Sequence, residues 1–126
     1  MVPALSWAED GIVEGKENGI QRGRLESVMA RQIPAGNISI GSVAKEFGIS
    51  QRTLQRKLAS ENSTFTIRLT EVKKELANRY LVEQGYSLED TAFLLGFSTH
   101  SNFSKAFKHW YGQSPSDYVQ NRSDTR

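Results

Sequence analysis

Residues 39–50, SIGSVAKEFGIS, and residues 87–98, SLEDTAFLLGFS, are two versions of one pattern, and this repeat decides the fold. A shift of 48 residues pairs Ser39 with Ser87, Ile40 with Leu88, Ala44 with Ala92, Phe47 with Leu95, Gly48 with Gly96, Ile49 with Phe97 and Ser50 with Ser98. Further on, a shift of 49 pairs Leu54 with Phe103, Arg56 with Lys105 and Leu58 with Phe107. Ten ordered pairs exceed chance, so the two segments are expected to share one local structure.

Each copy predicts a short helix, a tight turn and a second helix. Ser39 and Ser87 are candidate N-caps, and Asp90 follows Ser87 in a capping-box position. Gly48 and Gly96 follow the last apolar residue, where a left-handed C-cap favours glycine.

After the turn, an apolar residue is expected to enter the core, Ile49 or Phe97. Ser50 or Ser98 then caps a second helix. The second helices bury apolar pairs: Leu54 with Leu58, and Phe103 with Phe107. This order of elements is typical of a helix-turn-helix unit.

The remaining segments also predict helices. One begins near Ile20, presents Leu25, Val28, Met29 and Ile33 on one face, and is closed by Pro34 and Gly36. A last helix starts at Ser114 and Pro115 and packs Tyr118 and Val119.

A long helix from Thr66 to Gln84 links the two copies, and Gly85 ends it. Its apolar residues keep helical spacing: Phe65, Leu69, Val72, Leu76, Tyr80 and Leu81. Alternating charges predict a solvated opposite face: Arg68, Lys73, Lys74 and Arg79 with Glu71, Glu75 and Glu83.

No strand pattern occurs, so the predicted fold class is all-α, with two helix-turn-helix subdomains joined by a long linking helix. The predicted division is a flexible tail or interdomain linker remnant at 1–19, a first subdomain at 20–65, the linking helix at 66–84 and a second subdomain at 85–126. The composition of 1–19 favours a fragment of a longer protein.

Composition excludes several classes of protein. The 126 residues contain no cysteine, which excludes disulfides, a thiolate nucleophile and cysteine-ligated zinc. No apolar run approaches the ~18 residues of a membrane span, and the first residues lack the pattern of a signal peptide. We therefore expect a cytoplasmic protein with no membrane partner.

Charge is clustered although the formal net charge is only +2. Residues 50–60 contain Arg52, Arg56 and Lys57 without an acid, and residues 99–112 contain Lys105 and Lys108 without an acid. Such basic stripes fit a polyanion, while an ordinary solvated helix face is the alternative interpretation.

Three segments of the second half carry a resemblance to a known family: Gly96–Ser98, Phe103–Lys108 and Gly112–Tyr118. Together they resemble the C-terminal signature of AraC/XylS-type transcriptional regulators. Residues 52–58, RTLQRKL, resemble the first unit of that family, particularly of members that regulate amino-acid or metabolite genes. The resemblance covers residues 20–122 and implies a bacterial, nucleoid-associated transcription factor that inserts two recognition helices into successive major grooves.

The resemblance also implies which side chains meet DNA. Positions matching the base-reading ones are Arg52, Gln55, Arg56, His100, Ser101, Ser104 and Lys105. Arginine can bridge guanine, glutamine can bridge adenine, and serine can serve either base, so the chemistry agrees. Lys57 and Lys108 are better suited to phosphate. The alternative is that some of these side chains contact only phosphate or water.

Neither a metal site nor catalysis is expected. His100 and His109 are nine residues apart and face opposite sides of a helix, with no cysteine to complete a site. The acids Glu89 and Asp90 suit a helix N-terminus, and no nucleophile motif or phosphate loop accompanies them. Trp110 is expected to cap the core near Phe107 rather than to stack on bases. We predict no cofactor, no metal and no enzymatic activity.

The expected partner is double-stranded DNA with an asymmetric operator, bound by this segment as a monomer. RNA polymerase is the expected second partner if the protein is an activator. Two other functions stay open: a helical protein–protein interaction module, and an RNA binder, although single-strand readers usually present aromatic platforms.

Overall fold

The computed structural model describes residues 22–124, so the predicted tail at 1–19 lies outside the described residues. In the described part, the chain forms seven α-helices and no strand, which confirms the all-α prediction. The helices are α1 Arg22–Ala35, α2 Ile40–Glu46, α3 Gln51–Ser60, α4 Phe65–Asn78, α5 Leu88–Leu94, α6 His100–Tyr111 and α7 Pro115–Asp124. A π-helical turn, Arg79–Glu83, continues directly from α4, so the linking helix begins and ends one residue earlier than predicted and its last turn is π-helical.

The chain divides into two compact units, and the boundary lies inside α4 between Val72 and Lys73. Unit 1 contains α1 to α3 and the first half of α4. Unit 2 contains the rest of α4, the π-helical turn and α5 to α7. Each unit therefore contains one copy of the repeat.

The core of unit 1 is aliphatic. α1 supplies the predicted face, and α2, α3 and α4 add residues that are at most 4% exposed: Leu25, Val28, Met29, Ile33, Val43, Ala44, Leu54, Leu58 and Val72. Pro34 lies inside the last turn of α1 rather than ending it. The helix ends one residue later because Gly36 adopts a φ of 82° and donates its N–H to the carbonyl of Ile33.

The core of unit 2 combines aliphatic and aromatic side chains. Its buried apolar residues are Leu76, Ala77, Leu81, Ala92, Leu95, Phe103, Phe107 and Tyr118. The ring of Phe107 contacts those of Tyr111 and Tyr118, with centroids 4.7 and 5.1 Å away. Trp110 also packs against Phe107, at 6.4 Å, which agrees with its predicted place at the edge of the core.

The two glycine turns have the same geometry, as the repeat predicts. Gly48 has a φ of 73° and Gly96 a φ of 87°, both left-handed. The next residue donates its N–H back to the preceding helix, Ile49 to Ala44 and Phe97 to Ala92. Ile49 and Phe97 are half-buried rather than fully enclosed, so they cover the core instead of entering it.

The N-caps agree with the sequence in three of the four predicted places within the two repeats. Ser39, Ser50 and Ser87 each accept a backbone N–H three residues later. The prediction for Ser98 is wrong, because Thr99 caps α6 by accepting the N–H of Asn102. The reason is the extra residue in the second copy, which places Thr99, and not Ser98, four residues before the buried Phe103.

A reciprocal capping box forms in the first copy, where Ser39 and Ser42 exchange hydrogen bonds between side chain and backbone. In the second copy, Ser87 accepts the N–H of Asp90, which is the first of the two bonds of the predicted box.

The predicted solvated face of the linking helix is wrong at Arg68. This residue is 3% exposed and forms ion pairs with Glu26 and Glu61. Charge alternation along one helix could not indicate this, since Glu26 lies 42 residues earlier in the sequence.

Candidate nucleic-acid interface

The second helix of the first repeat, α3, is anchored by two buried leucines. Leu54 and Leu58 are 0% and 1% exposed. At about 100° per residue, Arg56 lies about 200° around the helix from each leucine, opposite the core. Arg52 also projects outward, and both arginines are exposed. The local sequence thus places two guanidinium groups on the solvent side of α3.

The second helix of the other repeat, α6, has the same design with aromatic anchors. Phe103 and Phe107 are both 0% exposed. Lys105 lies two residues from each and faces away from the core, in the position that Arg56 has in α3. Ser101 is exposed one turn before it and corresponds to Arg52. The two helices therefore present matching outward positions.

The other predicted side chains lie closer to the flanks of their helices. Gln55 and Ser104 each follow the first anchor by one residue, about 100° around the helix. Gln55 is exposed and Ser104 is partly buried. His100 is the exposed first residue of α6.

The two lysines assigned to phosphate have different surroundings. Lys57 is partly buried beside Leu58, and Lys108 is exposed beside Phe107. The structure thus brings Arg52, Gln55, Arg56 and Lys57 together on α3, and His100, Ser101, Ser104, Lys105 and Lys108 together on α6.

Ala59 and Asn102 are among the exposed positions of these helices that were not singled out from the sequence. Ala59 lies on the outward face of α3, one turn after Arg56, and is small enough for close approach of another molecule. Asn102 is exposed in the first turn of α6, and its side-chain amide donates to Ser98 Oγ at 3.2 Å. The repeat could have indicated them, because a shift of 49 residues pairs Ala59 with Lys108, which was singled out, and pairs Asn102 with Thr53 in the first turn of α3.

The electrostatics of both helices are uniformly basic. Neither Gln51–Ser60 nor His100–Tyr111 contains an acid. The helix N-termini add partial positive charge at the end where Arg52 and Ser101 lie. A surface of this kind attracts an anion with closely spaced charges.

The aromatic residues that pack under α6 make two contacts with the second half of α4. The Tyr111 hydroxyl donates to the carbonyl oxygen of Lys74 at 2.7 Å, and burial raises the pKa of Tyr111, so the donor stays protonated. Lys73 lies 5.1 Å from the ring centroid of Phe97, and burial lowers the pKa of this lysine. These contacts hold the aromatic core that supports α6.

Within residues 22–124, no group of histidine, cysteine or acidic side chains could hold a metal ion. Over the same residues, no helix is both long and apolar enough to cross a bilayer. The acid-free faces of α3 and of α6 are the two candidate binding surfaces, one in each unit.

Comparison with known proteins agrees with this geometry. The family described as "Helix-turn-helix domain" matches residues 43–121, which include all but the first four residues of the first repeat, the whole second repeat and the helix between them. The ornithine utilization regulator of Pseudomonas aeruginosa is 44% identical over 75 residues, covering 60% of this chain and 22% of that regulator. The transcriptional regulator VirS of Mycobacterium tuberculosis is 32% identical over 95 residues, covering 75% of this chain and 28% of VirS. The chain thus spans less than a third of the length of these relatives.

Solved structures show the same fold. A DNA-binding transcriptional dual regulator from Escherichia coli K-12 is 27% identical and matches 79% of this chain and 95% of its own, with a TM-score of 0.70. The DNA-binding domain of AdpA, solved in complex with a target DNA, matches 82% of this chain and 93% of its own with a TM-score of 0.68 at 21% identity. With two helix-turn-helix repeats, the matching domain and these relatives, the chain belongs to the AraC-type family of helix-turn-helix transcriptional regulators.

Proposed function

We propose that this chain is the DNA-binding part of a bacterial transcription regulator and that α3 and α6 each enter a major groove of one duplex. The carrying observation is the matched pair of helices, each held by two buried anchors and each presenting an acid-free polar face. An α-helix fits the major groove of B-DNA, where base edges present distinguishable patterns of donors and acceptors.

Base reading is assigned to the side chains that follow the family pattern: Arg52, Gln55 and Arg56 on α3, and His100, Ser101, Ser104 and Lys105 on α6. The exposed position of Arg56 opposite the leucine anchors supports bidentate binding to guanine O6 and N7. Lys57 and Lys108 are assigned to phosphate, because a long cation beside a buried anchor can reach the DNA backbone.

The two helices differ in sequence, so the operator is asymmetric and one copy of this segment is sufficient to bind it. Successive major grooves on one face of the duplex are about 34 Å apart, which gives a site of about two helical turns. In this proposal, residues 20–65 are the first DNA-binding subdomain, 66–84 the linking helix and 85–126 the second subdomain.

We further propose that the protein acts by binding rather than by catalysis, in the cytoplasm and on the nucleoid. RNA polymerase is the second partner if the protein activates transcription. The identity with the ornithine utilization regulator supports target genes of amino-acid or metabolite use.

The alternative function, a helical protein–protein interaction module, has one favourable observation. Phe93 on α5 is 76% exposed, and Tyr86 beside it is 42% exposed. These residues lie outside α3 and α6. If the chain binds DNA through α3 and α6, the Phe93→Ala variant should bind duplex DNA as tightly as the parent. If the chain binds only protein, neither the parent nor the variant should show salt-dependent binding to duplex DNA.

Capture of genomic DNA fragments on the purified chain, followed by sequencing and footprinting, tests the proposal. We expect enrichment of one asymmetric motif and a footprint of about two helical turns. Fragments without a common motif, a footprint of only a few base pairs, or a strict palindrome required by the monomer would contradict it.

A further inference from the structure

A buried ion-pair cluster lies next to the C-terminal end of α3, the first of the two proposed recognition helices. The Arg68 side chain is 4% exposed, and its Nη1 donates to Glu26 Oε2 at 3.1 Å. Its Nη2 donates to Glu61 Oε1 at 2.5 Å, and its Nε donates to Ser63 Oγ at 3.2 Å. One guanidinium on α4 therefore holds α1 together with the segment that follows α3.

We propose that Arg68 is a positioning residue for sequence reading by α3, an inference that rests on the proposed function. It fixes the end of α3 so that Arg52, Gln55 and Arg56 meet the bases in one orientation. Arg68 does not itself contact DNA in this proposal, since its side chain is buried and donates its hydrogen bonds to Glu26, Glu61 and Ser63.

The connection from Arg68 to α3 is short. Glu61 is the first residue after α3, and Ser63 donates its N–H to the carbonyl of Leu58, one of the two anchors of that helix. Between them, Asn62 has a φ of 59°, a left-handed conformation that asparagine tolerates better than most residues. The guanidinium thus holds both ends of a tight turn whose geometry sets where α3 stops.

The ion pair with Arg68 also neutralises the charge of Glu61. A carboxylate at the C-terminal end of a helix opposes the helix dipole, and on a recognition helix it would also repel DNA phosphates. Glu61 is 39% exposed, so its charge is felt in solvent unless the adjacent guanidinium compensates it. Arg68 therefore keeps an acid close to the interface without placing a free negative charge there.

Stability alone does not explain such a cluster. Removing two charges from water is costly, and replacing a buried ion pair by apolar side chains of similar volume is often neutral or stabilising. What the cluster does provide is directionality, because the planar guanidinium donates in fixed directions and a lysine would not reproduce that fork. A positioning role predicts that DNA discrimination and thermal stability respond differently when the cluster is removed.

The test uses the chain with both changes Arg68→Met and Glu26→Met, which leave neither member of the buried pair without its partner. Fluorescence anisotropy measures binding to the selected operator and to duplexes with single base-pair changes in each half of it. Thermal unfolding is followed in parallel. Arg31→Met is the control, because it also removes one arginine from an ion pair in unit 1, but one whose side chain is 61% exposed.

We expect the double variant to melt within a few degrees of the parent. Its penalty for base changes in the half-site read by α3 should fall about tenfold, the discrimination normally carried by one base pair. The loss of affinity for base changes in the half-site read by α6 should be unchanged. The Arg31→Met control should show the parent's loss of affinity for base changes in both half-sites. Retention of both sets by the double variant, or equal loss of both, would overturn the positioning role.

If the double variant shows no folding transition, Glu61→Gln replaces it as the test, because this change removes one charge at a partly exposed residue. A several-fold loss of discrimination confined to the α3 half-site would support the role, and unchanged discrimination would overturn it. If the parent chain itself does not discriminate among the duplexes, the proposed function is wrong. That result is distinguishable from failure of the positioning role, in which the parent chain still discriminates.

Discussion

Phe107→Ala should destabilise unit 2 by about 3–5 kcal/mol, the usual cost of truncating a fully buried aromatic side chain. Phe107 is 0% exposed, and its ring contacts those of Phe103, Tyr111 and Tyr118 at centroid distances of 5.7, 4.7 and 5.1 Å. Such aromatic pairs add about 0.5–1.5 kcal/mol each beyond the area they bury, so the upper part of the range is expected. This cost is comparable with the whole stability of a unit of ~50 residues, about 3–8 kcal/mol.

Urea unfolding followed by tryptophan fluorescence measures the effect. A Trp7→Phe background leaves Trp110, which packs against Phe107, as the sole indole in the chain. Phe93→Ala is the matched control, because it makes the same chemical change in unit 2 at a side chain that is 76% exposed. It should cost less than about 0.5 kcal/mol. Equal costs for the two variants would refute the packing scheme.

Three further predictions follow from single positions. Gly96→Ala should cost about 1–2 kcal/mol in thermal unfolding, because the φ of 87° is left-handed although space for a Cβ is open. Gly41→Ala should be neutral or stabilising, because its Cβ meets the end of the flexible Gln51 side chain at 3.0 Å and the Ser39 hydroxyl at an ordinary contact distance of 3.7 Å. A larger loss of stability for Gly41→Ala than for Gly96→Ala would contradict the turn geometry. Thr99→Ala should cost about 1 kcal/mol as a lost N-cap and Ser98→Ala clearly less; equal losses would show that the cap is misassigned. The hydrogen bond from Arg31 lowers the pKa of Glu46 from its ordinary 4.5, so the unfolded chain binds a proton first and this stabilisation is lost as the pH falls below about 4.5. Glu46→Gln should flatten that part of an acid-unfolding curve, and an unchanged slope would count against the pair.

The repeat was sufficient to predict both helix-turn-helix units, because the residues that define them act locally. Gly48 and Gly96 are required by a left-handed turn, and the spacing of Leu54 and Leu58 follows one face of a helix. Ser98 and Thr99 are equally competent caps that stand side by side. The choice between them follows from where the extra residue of the second copy is inserted, since the shift of 49 that pairs Leu54 with Phe103 also pairs Ser50 with Thr99.

The prediction for the charged residues of the linking helix was wrong at Arg68. Spacing along α4 predicted that Arg68 faces solvent, but Glu26 and Glu61 come from other segments and enclose it. A single sequence carries no signal for the meeting of an arginine with an acid 42 residues away. The candidate site was more predictable, since the outward positions of α3 and α6 follow directly from the position of their buried anchors.

The central claim is that α3 reads bases, and its most direct test compares Arg56→Ala with Lys108→Ala on the selected operator and on a scrambled duplex across a salt series. Arg56→Ala should cost about 1–3 kcal/mol on the operator alone and relax the preference at one base position. Lys108→Ala should weaken binding to both duplexes equally and lower the slope of log K against log salt by about one. If Arg56→Ala instead weakens both duplexes equally, Arg56 holds the backbone and the claim that it reads sequence is wrong.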